Sequence, residues 1–257
     1  MDKKTVNSIV SWIKEYFQNN SFASGVVIGM SGGKDSLIVA KLCTLALGKE
    51  RVFGVIMPNN EMVDKPDAVK TCELLGIPYT TINIYEPYNF IIESVNNALK
   101  QCNAELNSVT TINTAPRIRM TVLYALAGSL GYLVANTSNL SESSVGYTTK
   151  WGDNVGDFAP IANFTKTEVC EIGILLGLPK ELVEKIPSDG LTNSSDEDRL
   201  EFKYASLDHY IRTGEKVEGL EKILKMHKLS EHKRTGAVKF ESHLKNVFEK
   251  NEEKIVC

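Results

Sequence analysis

Gly25-Val-Val-Ile-Gly-Met30, running directly into Ser31-Gly-Gly-Lys-Asp-Ser36, decides the fold of this chain. The first half is a short apolar run that ends in glycine, which reads as a buried strand. Leu37 to Leu47 follows with good helix formers. The six residues between are a turn in which glycines let the backbone bend sharply, and the helix behind it presents free N–H groups to an anion. Such a loop is a phosphate site by construction. It is not the Walker loop, which would need glycine at position 28 and Ser or Thr at 35, where this chain has Ile28 and Asp35, and it contains no GxGxxG. An aspartate inside an anion-binding loop repels phosphate unless a divalent cation lies between them, so Asp35 implies magnesium.

Outward from this unit the same alternation continues at a spacing of about 25 residues. Arg51 to Met57 and Tyr79 to Ile84 read as strands, Asp64 to Leu75 and Tyr88 to Gln101 as helices, then Pro116 to Leu130 as a helix before a strand at Tyr132 to Ala135. Apolar strands alternating with helices mean βαβ units and right-handed crossovers, hence an α/β fold with a doubly wound, mostly parallel sheet and helices on both faces. Ligands of such sheets bind at the carboxyl ends of the strands. Val6, Ile9, Val10, Ile13 and Phe17 recur at helical spacing in an amphipathic first helix. After Asn136 a polar, glycine-dotted stretch runs to Asp157, long for a connection. Thr165 to Leu176 is then a helix, with Thr165 as cap and Glu168 three residues on. Ser188 to Asp198 is a second polar loop, Glu197 to Ile211 and Glu215 to Leu229 are helices, and the charged tail after Phe240 is a peripheral helix. With no repeat or linker, residues 1–257 read as one domain.

Composition excludes other classes. At 42% hydrophobic and 24% charged residues the chain is neither disordered nor collagen-like. Its 29 Lys and Arg against 32 Asp and Glu lack the basic excess of a nucleic-acid binder. Cysteines at 43, 72, 102, 170 and 257 form no CxxC pair, so neither zinc nor a disulfide framework is signalled and reduced thiols in cytoplasm are expected. Lys14 and Glu15 interrupt the place of a signal-peptide core. Met120 to Ala135 is too short for a membrane span and is broken by Gly128 and Gly131.

The SGGKDS loop resembles the SGGxDS loop of the PP-loop ATP pyrophosphatases, whose fold is adenine nucleotide alpha-hydrolase-like and which cleave ATP between the α and β phosphates to adenylylate an acceptor. The second half selects among them. Asn113-Thr-Ala-Pro-Arg117-Ile-Arg119-Met-Thr-Val-Leu-Tyr124 resembles the NxxARxRMxxLY helix of NAD synthetases, with Pro116 in a first helical turn where alanine is usual. Thr137-Ser-Asn-Leu-Ser-Glu142, then Gly146-Tyr-Thr-Thr-Lys150-Trp-Gly-Asp153 and Asp157-Phe-Ala-Pro160, is similar to that family's TDxxE…GFFTKYGDGGxDxxP segment, Ser138 departing from the usual aspartate. Phe164-Thr-Lys166, Lys185-Ile-Pro-Ser188-Asp-Gly-Leu191 and His232-Lys233-Arg234 complete the series in order. On these motifs the chain is identified as a member of the ammonia-dependent NAD synthetases.

The resemblance implies amidation of deamido-NAD with ammonia, with ATP as co-substrate, through an adenylated intermediate that yields NAD, AMP and pyrophosphate. It implies that Gly29, Met30, Ser31, Gly32, Gly33, Lys34, Asp35 and Ser36 hold ATP phosphates, that Asp35 and Glu142 bind Mg2+, and that Thr137, Lys166 and Ser188 contact ATP. Arg117, Lys150, Asp157, His232 and Lys233 match the dinucleotide contacts, and Asp153 the aspartate that takes the proton from ammonium. Taken alone, Lys166 would be a solvated lysine, Glu142 a surface carboxylate and His232 an exposed histidine. Glutamine-dependent relatives carry an amidase domain for which this chain has no room, so free ammonia is the expected donor. The apolar residues Met120, Val122, Leu123, Tyr124, Leu126 and Ala127 spread around more than one helix face, which with the family implies a homodimer. The alternatives are another PP-loop enzyme, modifying tRNA, and a non-catalytic nucleotide-binding module.

Overall fold

In the computed structural model, which describes residues 1–184 and 196–240, four parallel strands form one sheet in the order β3-β2-β1-β4. They are β1 (Gly25–Gly29), β2 (Val52–Ile56), β3 (Tyr79–Thr81) and β4 (Tyr132–Val134). Val26 stands opposite Val52 on one side and Leu133 on the other. The chain winds outward from β1 to β3 and then returns to lay β4 on the free side of β1. The winding therefore reverses between β1 and β4, and a crevice opens at their carboxyl ends where the two following loops diverge.

Alternation along the strands distributes the core. Val26 and Ile28 pack with Ile56 beneath α1 (Lys3–Asn19), α2 (Lys34–Leu47), α3 (Lys65–Leu75) and two later helices, α7 (Lys166–Leu175) and α8 (Lys180–Val183). Val27, Val55 and Val134 face the other way, beneath α4 (Tyr85–Gln101) and α5 (Ser108–Leu130). The sheet thus has helices on both faces, as the alternating sequence requires. Burying a valine or isoleucine of β1 contributes on the order of 1.5–3 kcal/mol, which is why so short a strand holds its register. A third cluster joins Val145 of α6 (Leu140–Val145) to Leu200 of α9 (Asp196–Leu200), Leu207 of α10 (Tyr204–Thr213) and Ile223 of α11 (Leu220–Leu229); α12 (Glu231–Arg234) ends the series. Among the described residues no helix is long and apolar enough to cross a membrane.

Three expectations need correction. α5 starts eight residues before Pro116, which is therefore inside the helix. Asn107 caps that start by accepting from the Thr110 amide at 2.8 Å, and the polar run it opens carries no apolar periodicity; Pro116 forgoes only one ladder bond. The helix expected over 197–211 is two helices, because Glu201 adopts φ +59° and the Glu197 carboxylate accepts from the Tyr204 amide at 2.8 Å to restart the next one. The helix expected from Glu215 begins at Leu220, after Gly219 at φ +77°. The tail after Phe240 lies outside the described residues.

Candidate active site

The loop after β1 is shaped by its own backbone. Gly32 sits at φ +79°, and a Cβ there would lie 2.4 Å from the Asp64 carbonyl oxygen, so only glycine fits against the start of α3. Ser31 Oγ accepts from the Gly33 amide at 3.2 Å, and Ser36 Oγ donates to the Gly33 carbonyl at 3.0 Å. Gly33 is the N-cap of α2 and gives it no side-chain bond, which leaves the first-turn amides free for an anion. The loop borders a cleft of about 720 Å³ whose other wall is built from the segments after β4.

That second wall is an assembly of side chains. Asn136, following β4, donates to the carbonyls of Asp153 and Val155 at 3.2 and 3.1 Å and accepts from the Ser138 amide at 2.8 Å, folding the polar stretch back on itself. Ser138, where the family pattern has aspartate, also donates its hydroxyl to the Asp153 carbonyl at 3.2 Å. Asn139 and Glu142 form a capping box at the start of α6. Asn139 moreover reaches across the cleft and donates its amide to Asp35 at 3.4 Å, so a single residue touches both candidate metal ligands. Burial and then the nearby Glu142 carboxylate push Asp35 up to about 7, against the pull of Lys166 and Lys34.

Lys166 opens α7 and is buried, its ammonium 2.9 Å from Glu142 and 3.4 Å from Asp196. Burial works against its charge, but Glu142 and Asp35 outweigh that and hold the ammonium above the usual lysine range. Asp153 faces the cleft, its carboxylate accepting from the Thr149 amide at 2.5 Å. The residue is exposed to the open cleft, and the desolvation its walls impose, with Glu142, pushes the carboxyl up to about 6 against the Thr149 amide bond. Trp151, two residues earlier, takes φ +61°, and Gly152 packs where a Cβ would lie 3.0 Å from Pro116. The interior proline thereby abuts the turn that carries Asp153. Lys233, on α12, donates to the carbonyls of Gly146 and Thr148 at 2.7 Å each.

Most residues expected in the site line this one cleft: Gly29 to Ser36 with Gly32 behind the wall, Thr137, Glu142, Asp153, Lys166 and Lys233. Four do not. Arg117 is exposed and donates Nε to the Lys150 carbonyl at 3.2 Å, Lys150 lies over the Trp151 ring, and His232 is exposed. Asp157 spends its carboxylate on the Val134 amide at 2.7 Å and the Tyr124 hydroxyl at 3.4 Å. Ser188 lies outside the described residues. Two further residues line the cleft that no motif singled out: Arg119, which anchors Nε on the Met57 carbonyl at 3.0 Å, and Asp196, which falls in the polar stretch expected over 188–198. Reading the sequence also passed over Asn139, although Asn followed three residues later by Glu is a capping-box signal.

The NAD synthase family matches residues 5–252. An NH(3)-dependent NAD(+) synthetase from Carboxydothermus hydrogenoformans is 40% identical over 91% of this chain and 95% of its own length. Among solved structures, NMN synthetase from Francisella tularensis superposes with a TM-score of 0.84 at 33% identity, covering 92% of this chain and 97% of that one. An NH3-dependent NAD synthetase from Campylobacter jejuni does so with 0.71 at 28% identity, covering 94% and 100%.

Proposed function

The chain belongs to the NAD synthase family, and we propose that the cleft at the β1–β4 reversal is where its reaction takes place. That reaction is the ATP-dependent amidation of deamido-NAD with ammonia. The observation that carries the assignment is convergence: a backbone anion loop and a carboxylate–lysine cluster meet across one cleft, with Asn139 bonded to Asp35 and, within its own capping box, to Glu142.

In this reading the amides of the first turn of α2, with Lys34 and Thr137, hold the phosphates of ATP, and Lys166 meets them from the opposite wall. Ser188 joins them from outside the described residues. Among the described residues no three His, Cys, Asp or Glu side chains gather as a closed metal site. Two facing carboxylates beside a phosphate loop, with the Glu142 charge adding to the burial that raises Asp35, are nevertheless the donor set Mg2+ takes when substrate oxygens complete its shell, so Asp35 and Glu142 fit it. When bound, the ion supplies neutralisation of phosphate charge. The nicotinate carboxylate of deamido-NAD attacks the α-phosphorus, the bond to the β-phosphate oxygen breaks, and pyrophosphate leaves. Asp153 then accepts a proton from ammonium, a task that suits a carboxyl held near 6. The freed ammonia attacks the acyl carbon, and AMP departs with the bonding pair.

Arg117, Lys150, Asp157 and His232 are proposed as contacts for the outer part of the dinucleotide, beyond the cleft of one chain. Tyr88, Thr111 and Ile112 continue the cleft wall onto the outer face of α4 and α5. There Phe90, Ile91, Val95, Val109 and Ile112 are exposed and α4 buries no residue. This supports a homodimer through α4 and the first turns of α5. Leu123 and Leu126, named above as spare apolar surface, instead pack against the sheet-side cluster. Light scattering should give twice 28.5 kDa, and Phe90→Glu should shift it toward the monomer. Cytoplasmic location remains part of the same reading.

The likeness to the Francisella NMN synthetase favours a second acceptor, the nicotinate mononucleotide. Both readings are tested by offering ATP, Mg2+, ammonium and each acceptor separately, with mass spectrometry of products. NAD with equimolar AMP and pyrophosphate supports the first reading; product from the mononucleotide alone supports the second. ADP as the main nucleotide product overturns both.

A further inference from the structure

Lys166 is held at both ends by one helix. At the backbone end, Asp208 of α10 accepts from the Thr167 amide at 2.8 Å, from the Thr167 hydroxyl at 2.7 Å and from the Ser141 hydroxyl, and Ser141 Oγ in turn accepts from the Lys166 amide at 2.9 Å. At the other end, one turn earlier on the same face of α10, Tyr204 lays its ring under the ammonium, with Nζ 4.1 Å from the ring centroid. Tyr204 is 6% exposed, and its buried hydroxyl makes no well-formed hydrogen bond among the described residues, the Lys166 ammonium being near enough to act on it but not in bonding geometry. A hydroxyl buried without a partner destabilises a fold, so the contribution of this residue must come from the ring.

We infer that Tyr204 is a positioning residue for Lys166, its ring face keeping the ammonium aimed into the cleft when Glu142 turns to the metal. The inference rests on the reading that Lys166 meets ATP phosphates. The lysine's shortest contact, Glu142 at 2.9 Å, is also a candidate metal ligand. Once that carboxylate is engaged elsewhere, a flexible four-carbon stem left, among the carboxylates of the described residues, with Asp196 at 3.4 Å would regain its rotamers. Asp196 already pairs with the ammonium at 3.4 Å, and drawing that carboxylate closer would hold the cation but cancel more of the charge meant for phosphate. An aromatic face attracts a cation within about 6 Å while carrying no net charge, and the attraction grows where water is excluded. The ring therefore orients the ammonium without neutralising it.

Fluorination tests this, because it weakens the negative face of the ring with little change in volume. Full-length protein is made with Tyr204→Phe and with mono-, di- and trifluorinated phenylalanine at position 204, and kcat/KM for ATP is measured beside KM for ammonium and the thermal midpoint. The expected result is that Tyr204→Phe stays within about twofold of wild type without losing thermal stability, and that kcat/KM for ATP then falls stepwise to about one-tenth, in line with a partly desolvated cation–π contact. KM for ammonium should not move. A flat series, a full loss already at Tyr204→Phe, or a parallel rise in KM for ammonium each overturns the inference. Lys166→Met serves as the control: if it keeps wild-type kcat/KM for ATP, the reading of Lys166 itself is wrong, whereas a large loss there beside a flat fluorine series sinks only the role of Tyr204.

Discussion

The two lips of the cleft face one ligand with different physics. The lip after β1 is backbone: a glycine at φ +79°, two serine hydroxyls bonded within the loop, and the open amides of α2. The lip after β4 is a set of charges held against one another: Glu142, Lys166 and Asp196 in contact, with Asn139 bonded to both Glu142 and Asp35. The first keeps its shape without ligand because sterics fix it. The second holds its shape by balanced charge, and it acts on the first: burial, and then the Glu142 carboxylate, raises Asp35 on the facing lip to about 7. Substitutions should accordingly fail by geometry on one side and by charge on the other.

The largest effect belongs to charge. Asp35→Asn and Glu142→Gln each remove a proposed electrostatic partner of the phosphates, and turnover at saturating ATP should fall on the order of 10²-fold or more. Stability should move the other way for Asp35→Asn, because the ionised carboxylate is disfavoured in the folded protein and a neutral isostere is not. A higher thermal midpoint near pH 8 with almost no turnover is the expected pair of readings. Near-normal turnover in either variant would take that residue out of the site.

Gly32→Ala should fail by geometry, with a smaller effect. Its Cβ would sit 2.4 Å from the Asp64 oxygen on a backbone that favours glycine, and strain of about 1–3 kcal/mol must be relieved by moving the loop. The expected reading is a rise of about tenfold in KM for ATP together with a lower thermal midpoint, at unchanged KM for ammonium. An alanine variant with wild-type KM for ATP would show that this lip is not shaped by Gly32.

This contrast also explains what was legible in the sequence. The strand-turn-helix of residues 25–47 is local: apolar run, glycines and helix formers lie within hydrogen-bonding distance along the chain, so β1, α2 and the loop could be read directly. Lys166 and Glu142 could be named only through resemblance to a family, since nothing in a lysine at a helix start says that Asp196, thirty residues on, will approach it. Arg119 went unnoticed because Arg117 shares its motif, and only the helix rotation set by residues 108–116 decides which guanidinium enters the cleft. Pro116 misplaced the start of α5 because proline marks first turns more often than interiors, and its packing on Gly152 is a long-range contact. The break at Glu201 depends on the Glu197 side chain restarting the chain at Tyr204, a bond that no periodicity announces.

The smallest effect is a pH dependence confined to the charged lip and its facing aspartate. Asp153 is held at about 6 and Asp35 at about 7, both above the unfolded value of 3.8. A carboxyl whose folded value is raised binds its proton more tightly in the native state, so its contribution to stability is present in full below the unfolded value and is lost as pH rises through the folded one. Ligand-free protein at low salt should therefore lose thermal stability between about pH 4 and pH 7. Glu168 acts in the opposite sense. Although burial alone would raise it, the Arg212 contact holds it below its usual range, so its contribution disappears at more acid pH and does not mask the decline. The decline should flatten in Asp153→Asn and in Asp35→Asn and persist unchanged in Gly32→Ala, which removes no titrating group. Scanning fluorimetry across that range, without ATP or magnesium, reads it directly; an equal decline in all three variants would mean that the carboxylates of the cleft are not in tension, and that the difference drawn between the two lips is one of composition alone.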